Sequence, residues 1–211
     1  MTGLIFCGAP IKDYKFIDEY LAEAQLIISA DSGARHCRRM DITPDFLIGD
    51  FDSINDADYL SLVEAGVQVK QYPAKKDMTD SEIAVQVALE KGCDRIVLLG
   101  AIGSRLDHTA ANLSLLKKLA DLRVEGIIVD ENNEARIIRS NIELRSRKDT
   151  FVTLLPFAGD AVGVTTGGLQ YPLKDAVLEV GSSWGVSNQF AQDIAHVEVK
   201  EGYLLVIMSR D

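Results

Sequence analysis

The sequence has no apolar run approaching the ~20 residues that a membrane-spanning helix needs, so no membrane partner is expected. Its opening stretch, MTGLIFCGAP, is apolar only briefly and has no basic flank; it reads as a first strand rather than a signal peptide. Basic residues are outnumbered, 22 Lys and Arg against 32 Asp and Glu, for a net charge of −10. A nucleic-acid surface needs a basic stripe, so no nucleic-acid partner is expected either. An anionic small substrate is compatible with this charge, because local bases and a metal decide that. Cysteine is scarce: Cys7, Cys37 and Cys93 lie far apart, with no CxxC. The odd count and the apolar neighbours of Cys7 and Cys93 fit reduced, buried thiols in a cytoplasmic protein. The familiar chemical fingerprints are missing too. There is no GxxxxGK[ST], which argues against a P-loop nucleotide site, and no GxGxxG after a strand. GAIGS at 100–104 is a glycine-containing turn and no more. HExxH is absent, His36, His108 and His196 lack zinc-ligand spacing, and there is no GxSxG elbow.

What is present is ordinary globular material: 211 residues, 47% hydrophobic and 26% charged, enough for one large domain or two small ones. There are no repeats, low-complexity tracts or long linkers. The first part alternates strand and helix signals. LIFCGA, LIISAD, DFLIGD, VQVKQYP, RIVLLGA and VEGIIVD read as strands. Between them, YKFIDEYLAEA, SGARHCRRM, DADYLSLVEAG, TDSEIAVQVALEKG and HTAANLSLLKKLA read as helices. Thr79 and Glu82 have the spacing of a capping box, while Gly66 and Gly92 close their helices. Strands apolar throughout, alternating with helices, predict a parallel sheet covered on both faces, a Rossmann-like α/β domain over 1–131. Past Asp130 the helical period stops. EARIIRS, DTFVTLLPF, AVGVTT, AVLEVG, AHVEVK and YLLVIMS are short strands split by turn residues. They predict an antiparallel β-sandwich or barrel domain over 132–211, with Glu201-Gly202 as a hairpin turn between the last two strands.

In open parallel sheets, ligands sit beyond the carboxyl ends of the strands. Asp50 and Asp52 lie at such an end, in LIGDFDSI, and alternation would point both the same way if the strand continued. Asp31, Ser32 and Gly33 follow another strand, Gly100 to Arg105 a third, and Lys75, Lys76, Asp77 and Asp80 a fourth. Two like charges ~4 Å apart repel by about 4 kcal/mol at an effective dielectric near 20. A site gathering Asp50, Asp52 and Asp80 therefore calls for a cation, and oxygen-only ligands beside phosphate suggest Mg²⁺. Arg105, with Lys75 or Lys76, supplies positive charge for phosphate oxygens. Each residue also has a plainer reading. GDFDS fits a solvated Asx turn, Asp80 a first-turn acid favoured by the helix dipole, Asp107 an N-cap, and His108 a structural histidine. Coincidence on one edge favours the collective reading: a Mg²⁺-dependent enzyme handling a phosphorylated ligand.

At these same residues the sequence resembles the thiamine pyrophosphokinase (thiamin diphosphokinase) family. ADSGARH (30–36), PDFLIGDFDS (44–53), KKDMTD (75–80) and GAIGSRLDHTAANL (100–113) follow that family's motifs in order. GGLQYPL (167–173) and GSSWGVSNQ (181–189) match its β-rich part. Ser32 stands where glycine is common, Met78 where glutamine or histidine is frequent, and Gln189 where glutamate is usual. The resemblance implies transfer of a diphosphoryl group from ATP to the hydroxyethyl oxygen of thiamine, giving AMP and thiamine diphosphate. It implies Mg²⁺ on Asp50, Asp52 and Asp80, with Asp77, Arg105 and Asp107 orienting phosphates or substrate. It implies ATP near Asp31, Ser32, Gly33, Lys76, Thr79, Arg105 and His108. An aspartate would accept the hydroxyl proton, which one being left open. It further implies a homodimer with composite active sites, in which the β-domain supplies Trp184, Ser187 and Asn188 to thiamine. Taken alone, Trp184 reads first as a core filler; its turn-rich surroundings reverse that preference and favour exposure. Alternatives are a pyrophosphokinase for another hydroxymethyl heterocycle such as a pterin, a non-catalytic thiamine- or nucleotide-binding module, and an ordinary kinase releasing ADP.

Overall fold

The apolar runs of the first part are strands, and they pair in parallel. A computed structural model describes residues 1–52, 54, 56–73, 75 and 77–211, without the side chains of Asp56 and Asp58. The chain divides into two compact units, Met1–Glu131 and Asn132–Asp211. In the first unit the strands are β1 (Thr2–Phe6), β2 (Leu26–Ala30), β3 (Phe46–Gly49), β4 (Gln68–Gln71), β5 (Arg95–Leu99) and β6 (Glu125–Val129). Their order is β6-β5-β1-β2-β3-β4, every pairing parallel. Leu4, Ile5 and Phe6 of β1 and Ile96 to Leu99 of β5 are wholly buried, as central strands covered on both faces must be.

The chain steps outward from β1 through β2 and β3 to β4, then returns to the other side of β1 as β5. The order reverses between β1 and β5, and a crevice opens at the carboxyl ends of strands at such a point. The connecting helices are α1 (Ile17–Glu23), α2 (Ala34–Arg39), α3 (Asp56–Glu64), α4 (Asp80–Glu90) and α5 (Leu106–Asp121). Thr79 caps α4, its hydroxyl accepting from the Glu82 amide at 3.2 Å. Glu82's own carboxylate accepts Lys118 Nζ at 3.0 Å, which ties α4 to α5. Asp107 does not cap α5: Arg105 occupies the N-cap position, and Asp107 lies inside the first turn. No helix among the described residues is long and apolar enough to cross a membrane.

The second unit is antiparallel throughout. Its strands are β7 (Asn133–Ile138), β8 (Asn141–Arg145), β9 (Phe151–Pro156), β10 (Ala161–Gly167), β11 (Ala176–Leu178), β12 (Asn188–Gln189), β13 (Ile194–Glu198) and β14 (Leu204–Ser209). They form two four-stranded arrays, β12-β9-β14-β7 and β11-β10-β13-β8. The expected fold class holds: a parallel α/β part followed by an antiparallel β part. The expected hairpin does not. β13 pairs with β8 and β10, whereas β14 pairs with β7 and β9, so Glu201-Gly202 carries the chain from one sheet to the other. The cause is burial. Ala195 and Val197 of β13 and Leu204 and Val206 of β14 share one core, which the two strands reach from different sheets. Two strands carry little sequence signal: β8 buries Leu144 alone, and β12 is two residues long.

Candidate active site

Beyond the ends of β1 and β5 lies a cleft of about 320 Å³. Gly8, Ala9, Pro10, Gly100, Ala101 and Gly103 bring mostly backbone to its wall. The small residues are required by close approach. Gly100 has φ +60, and a Cβ there would lie 2.6 Å from the Cys7 carbonyl oxygen. Two α5 side chains hold the far wall. Asn112 Nδ2 donates to the Ala101 carbonyl at 2.8 Å, and Thr109 Oγ1 accepts from the Gly103 amide at 3.1 Å. A second recess of about 280 Å³ shares Gly8, Asp31, Ser32, Ser81 and His108 with the cleft and adds Asp50 and Asp80.

The acids converge there. Oxygens of Asp31, Asp50 and Asp52 lie within 4.8 Å of one another, graded from enclosed Asp31 to exposed Asp52. Strand alternation does not bring Asp50 and Asp52 together. β3 stops at Gly49, Phe51 takes φ +66, and the Asp52 amide donates to Asp50 Oδ1 at 3.2 Å. The Asx turn and the acidic cluster are therefore one structure. Phe51 packs on Tyr59 of α3, ring centroids 5.3 Å apart, which anchors the turn between the acids. Asp31, at φ +46, starts a single 3₁₀ turn, Asp31–Gly33, ahead of α2. Asp80, the first residue of α4, lines the recess beside this trio, and Asp31 takes the third place in the cluster. Three carboxylates this close, offering oxygen alone, suit a hard divalent cation.

The other expected residues are placed as follows. Thr79 is occupied as a cap, and Asp77 and Lys75 are exposed. Lys76 lies outside the described residues. Met78 borders the recess, where its thioether offers no hydrogen-bond donor. Arg105 and His108 line the cleft. The guanidinium of Arg105 is forked onto Asp107, Nε to Oδ1 at 3.2 Å and Nη2 to Oδ2 at 2.6 Å. Those bonds from Arg105 hold the Asp107 carboxyl below the usual carboxylate range. Gly33 differs from expectation, since it faces the protein's own backbone. It is buried, and a Cβ there would collide with the Phe6 carbonyl oxygen. Gly33→Ala should therefore cost about 1–3 kcal/mol, because an added methyl has nowhere to go and the Asp31 turn must shift. A denaturant midpoint lowered at unchanged slope would show it; an unaltered midpoint would mean the turn yields freely.

In the second unit Trp184 is 62% exposed, not a core filler. Its amide donates to Ser182 Oγ at 3.2 Å. Ser187 sits at φ +59, its amide donating to Thr153 Oγ1 at 3.1 Å. Asn188 is bonded to its own chain's backbone. It is buried, its Oδ1 accepts the Tyr171 and Gln189 amides at 3.0 and 2.9 Å, and its Nδ2 donates to the Tyr171 carbonyl at 2.7 Å. It braces the segment that exposes Tyr171, a residue the sequence reading passed over inside GGLQYPL. The wall residues Gly8 to Pro10 were also passed over; their signal was their place directly after an apolar strand.

Comparison with known proteins gives a consistent result. The family described as "Thiamin pyrophosphokinase, catalytic domain" matches residues 17–128. "Thiamin pyrophosphokinase, vitamin B1 binding domain" matches residues 139–204. Thiamine pyrophosphokinase of Bacillus subtilis (strain 168) is 30% identical over 210 residues, covering 98% of this chain and 98% of that protein. The crystal structure of thiamine pyrophosphokinase from Bacillus subtilis superposes with a TM-score of 0.92 at 28% identity, covering 100% of both chains. Thiamin pyrophosphokinase from Geobacillus thermodenitrificans superposes with a TM-score of 0.86 at 30% identity, covering 100% of this chain and 98% of that one.

Proposed function

The chain belongs to the thiamine pyrophosphokinase family, and on that premise we propose how its residues carry out the transfer of a diphosphoryl group from ATP to thiamine. The observation that carries the assignment of parts is the acidic trio beside a backbone-walled cleft at the sheet's switch point. The cleft takes the nucleotide, whose phosphates run toward the acids. Asp31, Asp50 and Asp52 would hold Mg²⁺, with Asp80 beside them. The ion, when bound, neutralises phosphate charge as the transfer proceeds. Arg105, its Nε and Nη2 held by Asp107, turns its Nη1 donors to phosphate oxygens. His108 and Ser32 border the same path. The hydroxyethyl oxygen of thiamine forms a bond to the β-phosphorus, the bond from that phosphorus to the α,β-bridging oxygen breaks, and AMP departs. The hydroxyl proton passes to a carboxylate of this edge. Chemistry of this kind rests on positioning and charge neutralisation.

Thiamine's rings rest on the second unit's exposed aromatic face. Trp184 and Tyr171 offer flat surfaces, and the Ser187 hydroxyl offers a hydrogen bond. The working form is a homodimer whose sites combine one chain's acids with its partner's 181–189 segment. The exposed apolar side chains of Val180, Trp184 and Val186 support an interface there. A cytoplasmic location fits three free cysteines, all buried. Phosphorus NMR of ATP, Mg²⁺ and thiamine with the protein tests the reaction: AMP and thiamine diphosphate should accumulate together. ADP with thiamine monophosphate would mean attack at the γ-phosphorus, and the reading would fail.

A further inference from the structure

The motif that begins at Ala30 ends in a histidine for which the chemistry above has no use. His36 lies on α2 and is 2% exposed. Its Nε2 is 2.9 Å from the Ala9 carbonyl oxygen, and its Nδ1 is 2.6 Å from the Tyr14 hydroxyl. A carbonyl oxygen accepts and never donates, so Nε2 carries the proton. Nδ1 is then a lone pair, and Tyr14 donates into it. Burial pushes the imidazole's pKa below its ordinary value, in keeping with a neutral ring. The ring also packs beside Phe6 and Tyr14, centroids 6.4 and 5.7 Å away.

Ala9 is part of the cleft wall, and it is held from two sides. Its amide donates to the Gly100 carbonyl at 2.8 Å, while its carbonyl accepts from His36. One residue before His36, Arg35 donates to the Gly8 carbonyl. The wall has no slack: a Cβ on Gly103 would lie 2.8 Å from the Ala9 Cβ, and one on Gly8 would meet Ser32 Oγ. α2 begins directly after the Asp31–Gly33 turn, so one short helix anchors both the acid turn and the Gly8–Pro10 wall packed beside it.

We propose that His36 is a positioning residue: through its Nε2–H bond to Ala9 it sets the distance between the Gly8–Pro10 wall and the Asp31 turn, and so the fit of the nucleotide. The proposal rests on the assignment of the cleft to ATP. It makes no demand on the thiamine surface, and this separates it from a purely structural role.

Three variants test it: His36→Asn, His36→Gln and Tyr14→Phe. The glutamine amide reaches the place of Nε2 and keeps a donor for Ala9; the asparagine amide stops short, near Nδ1. His36→Asn should raise KM for ATP and the calorimetric Kd for ATP about tenfold, the scale of one unsatisfied buried acceptor. KM for thiamine and kcat should stay within about twofold, and His36→Gln should restore ATP binding to within about threefold of the parent. An asparagine variant that loses thermal stability but keeps its KM for ATP would overturn the proposal. So would equal rises in both KM values, or glutamine no better than asparagine. If asparagine prevents folding, Tyr14→Phe decides: removal of one hydroxyl should raise KM for ATP about threefold, and no rise sinks the idea. Gly103→Val tests the premise, since its side chain would collide with Ala9, displace the cleft wall far more than loss of one hydrogen bond, and should abolish ATP binding. If Gly103→Val binds ATP as the parent does, the nucleotide lies elsewhere. If it does not bind while His36→Asn binds normally, the positioning role alone is wrong.

Discussion

Asp50→Asn and Asp52→Asn should each slow turnover by about 10²–10³-fold at saturating Mg²⁺, the range found when a preorganised electrostatic partner is lost from a transition state. The amide keeps the shape of the carboxylate and removes its charge. Asp31, Asp50 and Asp52 crowd their oxygens within 4.8 Å. Each pair at such separation repels by roughly 3–4 kcal/mol at an effective dielectric near 20. Without metal, then, the asparagine variants should melt no lower than the parent. With metal the order reverses. A parent at about a hundred times its Kd for Mg²⁺ gains roughly 2.7 kcal/mol of stability from binding, and the variants should lose most of that gain. Asp52 is exposed, so the substitution carries little folding penalty of its own. Two results would sink the metal assignment: near-parent turnover, or an undiminished rise in melting temperature on adding Mg²⁺.

Mixing two inactive variants should restore activity. Asp50→Asn damages the acidic edge in the first unit, and Trp184→Ala removes the exposed ring in the second. Trp184 is a better choice than Asn188, because Asn188 holds the Tyr171 backbone and its loss would disturb the fold. If each site draws its acids from one chain and its aromatic face from the other, a heterodimer has one doubly damaged site and one intact site. Random exchange makes about half the dimers mixed, each with one good site of two, so activity should approach roughly a quarter of the parent level. Thiamine must be limiting, so that the Trp184→Ala homodimer stays near zero. Sedimentation showing that heterodimers formed, with no recovery, would place each complete site within one chain.

The first unit was legible because its signals are local. Six apolar runs split by helix-period segments leave little choice but a covered parallel sheet, and Thr79 caps α4 as its spacing to Glu82 suggests. The second unit was legible as antiparallel β, yet not in its pairing. A turn signal at Glu201-Gly202 marks where the chain bends, not whether it bends within a sheet or across to another. The site shows the same division. Motif spacing places Asp31, Asp50, Asp80 and Arg105 at strand or helix ends. It cannot show that Asp31, at φ +46, joins Asp50 and Asp52 while Asp80 sits alongside, or that the Arg105 fork is closed on Asp107.

By itself, then, the sequence determined the order of strands and helices in the first unit, the change of texture near Asp130, and the residue types at the edge where the chemistry lies. These depend on periodicity and on which residues tolerate a turn, and both are properties of neighbours in the chain. The tertiary structure alone decided which carboxylates meet, that Gly33 serves the packing of β1, that Asn188 braces the Tyr171 segment, and that His36 grips the wall of the cleft. Each of these depends on a partner far away in sequence. A hydrogen bond or a steric contact between distant residues leaves no periodic trace; it exists once the sheet order has brought the two segments within about 3 Å of each other.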